Sequence, residues 1–155
     1  MFADGIHEAK RSMSTAEQIA TKVTASFEAQ GFMTALGAKI TDVREGVVAI
    51  ACARNDGLTQ QHGFFHAGLL TSILDSACGY AALSVMPPDA DVLTVEFKVN
   101  LLRPADTDRV VATGTILKNG RRLVVTEGIA TDESGTTIYA KMVATMIVLQ
   151  KENEG

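Results

Sequence analysis

The stretch Gln60-Gln61-His62-Gly63-Phe64-Phe65-His66-Ala67-Gly68-Leu69-Leu70-Thr71-Ser72-Ile73-Leu74-Asp75-Ser76-Ala77-Cys78-Gly79 decides how this chain is read. A polar amide precedes a Gly-Phe-Phe-His-Ala-Gly turn. An apolar pattern of helical spacing follows and carries a single carboxylate. Small residues at such a turn let a ligand approach the start of a helix, where unpaired N–H groups and the positive end of the helix dipole point outward. Asp75 falls about two turns further along that helix. An anion-stabilising turn with a carboxylate and an amide nearby is the equipment that acyl transfer to water requires.

Working outward, the helical pattern spans 67–85. Leu69, Leu70, Ile73, Leu74, Ala77, Tyr80 and Ala81 form its apolar face. Thr71, Ser72, Asp75, Ser76 and Gly79 make the other face small or polar, and Pro87-Pro88 forbids continuation. Upstream, Ser14-Thr15-Ala16-Glu17 has the spacing of a capping box, and Ile19, Val23 and Phe27 extend a helix predicted over 15–30 with Gly31 as its stop. A strand is predicted over 34–44, then a Glu45-Gly46 turn. The continuous apolar run 47–53 reads as a strand buried on both faces, broken by Asn55-Asp56-Gly57.

Four strand signals lie downstream. Segment 92–102 alternates, with Val95, Phe97, Val99 and Leu101 on one face and Thr94, Glu96, Lys98 and Asn100 on the other. Segments 109–118 and 121–131 flank Asn119-Gly120, a strong hairpin signal, and 136–149 follows a turn at 132–135. Without room for repeated parallel crossovers, this order predicts an α+β domain with an antiparallel sheet. One domain is expected over 14–149, between a flexible tail at 1–13 and a polar tail at 150–155.

The totals agree. A chain of 155 residues that is 46% hydrophobic can bury one core without disulfides or metals. The net charge of −4 gives no global attraction to nucleic acid or to an anionic membrane. Cys52 and Cys78 lie in apolar runs and read as free buried thiols of a reducing compartment. His62, His66 and the cysteines lack metal-ligand spacing, so no metal is expected. The apolar run 69–85 contains Asp75, and residues 1–10 have no apolar core of a signal. A cytoplasmic protein is the expectation.

The turn Gly63-Phe64-Phe65-His66-Ala67-Gly68, Asp75 eight residues after Ala67, and Val92-Leu93-Thr94-Val95-Glu96-Phe97 leading to Leu102-Arg103-Pro104-Ala105 together resemble the hotdog-fold thioesterases, specifically the phenylacetate-pathway type of acyl-CoA thioesterase. The resemblance covers roughly 31–149. It implies a hotdog fold, a long central helix wrapped by a curved antiparallel sheet, in homodimers or homotetramers with sites at the subunit interface. It implies an acyl-CoA substrate and no cofactor. Carried over by position, Asp75 is the general base or nucleophile. The N–H of Ala67, with Gly68, holds the thioester oxygen. Gln60 stands where the family has an amide, and Thr94 lies near Asp75 across the interface. Coenzyme A falls near His66, Arg103 and Pro104 and the hairpin of Lys118, Gly120, Arg121 and Arg122.

Two departures stand out: Ala67 replaces the usual glycine, and Gln60 is longer than the commoner asparagine. Plainer roles exist for several residues. His66 caps a helix start, Gln60 satisfies loop backbone, and the hairpin cations keep an edge soluble. Two other functions fit the same outline. One is acyl-CoA binding without turnover. The other is a hotdog dehydratase or hydratase, but laying its motif on Ala67-Gly68-Leu69-Leu70 puts Thr59 and Ile73 where it needs histidine and glutamate.

Overall fold

The structure, a computed structural model, describes residues 13–150. Most of both expected tails therefore lies outside the described residues.

The first helix, α1 (Thr15–Glu28), starts where the capping box predicts. The Ser14 Oγ accepts from the Glu17 N–H at 3.3 Å, and the Glu17 carboxylate accepts from the Ser14 N–H at 2.7 Å. Two otherwise orphaned donors are thereby satisfied, which is worth about 1 kcal/mol. Val23 and Phe27 are its buried face. The strand predicted over 34–44 is corrected at its start. Gly31 does not simply stop the helix; a second short helix, α2 (Gly31–Ala35), begins there and buries Met33. Strand β1 is confined to Lys39–Arg44. Anchoring Met33 in the core outweighs the local extended pattern.

Strand β2 (Val47–Ala53) matches its predicted range, and Val48, Ala49, Ile50, Ala51 and Cys52 are all buried. A short 3-10 turn (Asp56–Leu58) leads into the loop before the central helix α3 (Ala67–Ser84). Strands β3 (Ala90–Leu101), β4 (Arg109–Asn119), β5 (Leu123–Asp132) and β6 (Ile138–Gln150) follow. All six strands form one antiparallel sheet in the order β1-β2-β4-β5-β6-β3. The chain leaves β2 and returns only at the opposite edge, so α3 crosses the whole sheet. This is the hotdog arrangement.

Small residues set how closely α3 lies on the sheet. Gly114 of β4 and Gly128 of β5 sit directly opposite each other. A Cβ at Gly114 would come within 2.3 Å of the Ala77 carbonyl oxygen, and one at Gly128 within 2.8 Å of the Cys78 Sγ. The helix backbone rests on this pair. Ile73 and Leu74, both fully buried beside it, contribute on the order of 1.5–3 kcal/mol each.

Two strand expectations change in detail. The alternation over 92–102 is broken by a bulge: Thr94 pairs with Met146 and Glu96 with Thr145, leaving Val95 extra. Thr94 therefore shares the helix-facing side with Phe97, not the solvent side with Glu96. Because β3 is an edge strand, Leu93, Val95, Phe97 and Leu101 remain exposed despite the apolar alternation. Asn119-Gly120 also does not form a two-residue turn. Asn119 stays in β4, Gly120 donates to the Leu123 carbonyl at 3.0 Å, and the loop runs through Arg121 and Arg122. Neither Asn119 nor Gly120 has the positive φ that the tight turn requires.

Replacing Gly114 with Ala should lower stability by about 2–3 kcal/mol, since the contact is with helix backbone that cannot rotate away. Gly31→Ala, which meets nothing within 4 Å, should stay within about 0.5 kcal/mol. Thermal and urea unfolding of both variants checks this contrast.

Candidate active site

The turn before α3 is held by neighbours distant in sequence. Arg54, at the end of β2, pairs with Asp106 at 3.0 Å and also donates to the Gly63 carbonyl. Gly63 has φ +83°, a conformation an L side chain resists. The Phe65 N–H donates to the Ala105 carbonyl at 3.1 Å, and the His66 N–H to the Leu58 carbonyl at 2.9 Å. These bonds fix the direction in which α3 begins.

His66 is the N-cap of α3: its Nδ1 accepts from the Gly68 N–H at 2.8 Å. The Gly68 donor is thus occupied. Among the described residues, the Ala67 N–H meets no acceptor. Ala67 is the first residue of the helix, so its donor carries the positive end of the helix dipole. Gln60 turns its Oε1 to the His62 N–H, which points its NH₂ group the other way. Gln60, Ala67, Arg103 and Pro104 line one cavity of about 540 Å³, with Phe64 and Leu101 as apolar wall.

Asp75 and Thr94 line a different cavity, of about 270 Å³. The Thr94 Oγ1 donates to the Asp75 Oδ1 at 2.8 Å within one chain. The expectation that this pair meets across an interface is therefore corrected. The bulge at Val95 turns Thr94 inward, and β3 lies beside α3 in the same subunit. Arg121 and Arg122 line a third cavity, of about 430 Å³, with Val148 and Gln150. Lys118 pairs with Val125 in the hairpin and is exposed, and Gly120 begins its loop.

One chain thus presents three separate patches. Asp75 stands eight residues beyond Ala67 on a single helix, ~12 Å along the axis. No single carbonyl group can contact both in the same subunit. Cys78, on the buried side of α3, offers no alternative nucleophile. Burial pushes its thiol up to about 12, so it stays protonated at neutral pH.

The Thioesterase superfamily model matches residues 62–139, from the loop before α3 to the start of β6. A thioesterase family protein of Silicibacter pomeroyi is 45% identical, superposes with a TM-score of 0.82, and aligns over 85% of this chain and 98% of its own. The chain belongs to the thioesterase superfamily. Two more distant structures share its fold. The Escherichia coli PaaI protein of the phenylacetic acid degradation operon has a TM-score of 0.79 at 20% identity, over 86% of this chain and 95% of its own. A thioesterase of Haemophilus influenzae has a TM-score of 0.77 at 17% identity, over 94% and 98%. Membership makes this chain a thioester hydrolase by class. Among the described residues of this thioesterase, no helix is long and apolar enough to cross a membrane.

Sequence reading missed several residues around these cavities. Arg54 gave no signal, because its partners are a backbone carbonyl and a carboxylate 52 positions away. Ser26 near the end of α1 and Gln30 at the N-cap of α2 reach the Asp75 cavity, as does Asp91. Polar residues at Ser26, on the helix whose Phe27 packs against Tyr80, and at Gln30 just beyond that helix were the available clue.

Replacing His66 with Ala should cost about 1 kcal/mol by removing the cap, and His66→Asn should recover most of it, since asparagine caps well. Urea unfolding of the two variants measures this; equal losses in both would contradict a capping role.

Proposed function

We propose that this protein hydrolyses acyl-CoA thioesters at a site shared by two copies of the chain. The carrying observation is the separation of Asp75 from the free Ala67 N–H, with each lining its own cavity. A two-fold assembly supplies what one chain lacks: the carboxylate of one copy facing the helix start of the other. The exposed edge strand β3, with Leu93, Val95 and Phe97 uncovered, is the surface along which two copies would pair. Such a homodimer is the smallest active unit in this reading, and a homotetramer would be a pair of them.

In this reading Thr94 holds the Asp75 Oδ1, leaving Oδ2 to take a proton from water. The water oxygen bonds to the thioester carbonyl carbon. The resulting oxyanion is held by the Ala67 N–H of the partner copy, with the Gln60 NH₂ beside it. Collapse breaks the carbon–sulfur bond, and the proton on Asp75 passes to the leaving thiolate. Gly68 adds no donor while His66 holds its N–H. Arg121 and Arg122, with Lys118 at the hairpin and Arg103 beside Pro104, offer cationic groups for the phosphates of coenzyme A.

Two substitutions test the chemistry without disturbing the fold. Asp75→Asn should reduce thiol release from an accepted acyl-CoA by about 10³-fold or more, through loss of the base. Ala67→Pro deletes only the proposed oxyanion donor, since proline suits the first position of a helix. His66 has φ −65° and ψ 139°, a conformation that proline tolerates in the residue before it. A fall in kcat of about 10²–10³-fold is expected for this variant. Full activity in either folded variant would remove its residue from the mechanism.

A further inference from the structure

The Asp75 cavity continues past the carboxylate into a group of polar side chains that the hydrolysis above does not use. The Gln30 Nε2 donates to the Tyr80 hydroxyl at 2.8 Å, and Ser26 Oγ lies 3.4 Å from the same hydroxyl. The Ser76 Oγ approaches the Gln30 Oε1 at 3.5 Å. All four line the cavity. Ser26 comes from the last turns of α1, Gln30 from the junction where it caps α2, and Ser76 and Tyr80 from the middle of α3. Tyr80 is 3% exposed, and its ring packs edge-on against Phe27 with centroids 5.8 Å apart. The hydroxyl is therefore held at a fixed point.

An acyl group lying beside Asp75 would have its far end here. Gly79, one turn from Asp75, leaves the space beside it open: a Cβ there would meet nothing within 4 Å. Tyr80 lies five residues beyond Asp75, ~7.5 Å along the helix axis, a distance spanned by roughly six carbons at ~1.5 Å per bond. The cavity volume of about 270 Å³ compares with about 150 Å³ for a cavity that holds benzene. A long alkyl chain would overfill it and would leave the Gln30, Ser26 and Ser76 groups desolvated without partners.

We propose that Tyr80, Gln30 and Ser26 form a specificity subsite for a neutral hydrogen-bonding substituent, a hydroxyl or carbonyl, at the far end of a short acyl group. This deepens the thioesterase reading above and rests on it for the placement of the acyl group. Burial pushes the Tyr80 phenol up, against the opposing effect of its Ser26 and Gln30 hydrogen bonds. It thus keeps its proton at neutral pH and can donate. Asp75 and Asp91 line the cavity without any lysine or arginine among its lining residues, so a carboxylate substituent is disfavoured.

The test measures binding of hexanoyl-CoA and 6-hydroxyhexanoyl-CoA by calorimetry, using the Asp75→Asn protein so that turnover does not enter. The hydroxylated thioester should bind about 10-fold more tightly, as expected for one added hydrogen bond in a buried site. Adding Tyr80→Phe or Gln30→Leu should bring the ratio close to one while hexanoyl-CoA binding changes little. Equal affinity for the two thioesters, or a preference that survives both substitutions, would overturn the subsite. Hydrolysis is scored separately on the protein with Asp75 intact. A binding preference that vanishes in the Tyr80→Phe variant supports the subsite even if neither thioester is cleaved, an outcome that would count against the hydrolytic reading alone.

Discussion

The close seat of α3 on the glycine pair Gly114 and Gly128 is the constraint on which the rest of the structure depends. The Ala77 backbone occupies space that any side chain at Gly114 would fill. With the helix pressed onto the sheet there, its two ends are fixed over different parts of the sheet. Ala67 points out near the Arg103–Ala105 segment, and Tyr80 is driven against α1. Asp75 falls between them, beside the edge strand. A helix standing further off the sheet would lose the Thr94–Asp75 hydrogen bond and open the cavity beside it.

Much of this was legible in the residues. The period of Leu69, Leu70, Ile73, Leu74 and Ala77 gives α3, and the unbroken run at 47–53 gives β2, because long or uniform apolar patterns leave few alternatives. The placement of Thr94 was not legible. A bulge adds one residue and exchanges the faces of everything before it, and alternation alone carries no mark of it. The short helix α2 was hidden for a similar reason: one buried methionine decides a segment whose local pattern is weak. The glycine pair was present in the sequence, at the centres of two predicted strands, and glycine in a strand interior does signal a close approach.

The candidate site divides in the same way. Asp75, Ala67 and Gln60 follow from the turn and the helix, since chemistry there is tied to local backbone. That His66 spends its Nδ1 on Gly68, and so leaves Ala67 as the free donor, depends on one side-chain rotamer that no spacing encodes. Arg54, Gln30 and Ser26 are invisible to motif reading because their partners are brought to them by the fold. The substitution of alanine at position 67 keeps the donor and adds only a methyl group, which is compatible with the helical backbone that the residue adopts.

The central claim is that the carboxylate and the oxyanion donor of one working site belong to different subunits. Mixing the Asp75→Asn and Ala67→Pro proteins, each strongly impaired alone, after co-refolding tests it directly. In a mixed dimer, one of the two sites would combine an intact Asp75 with an intact Ala67. Random pairing should then restore about a quarter of the native rate, and that recovery is the result expected here. A mixture in which mixed dimers form but remain as inactive as its components would place both groups in one subunit and contradict the account.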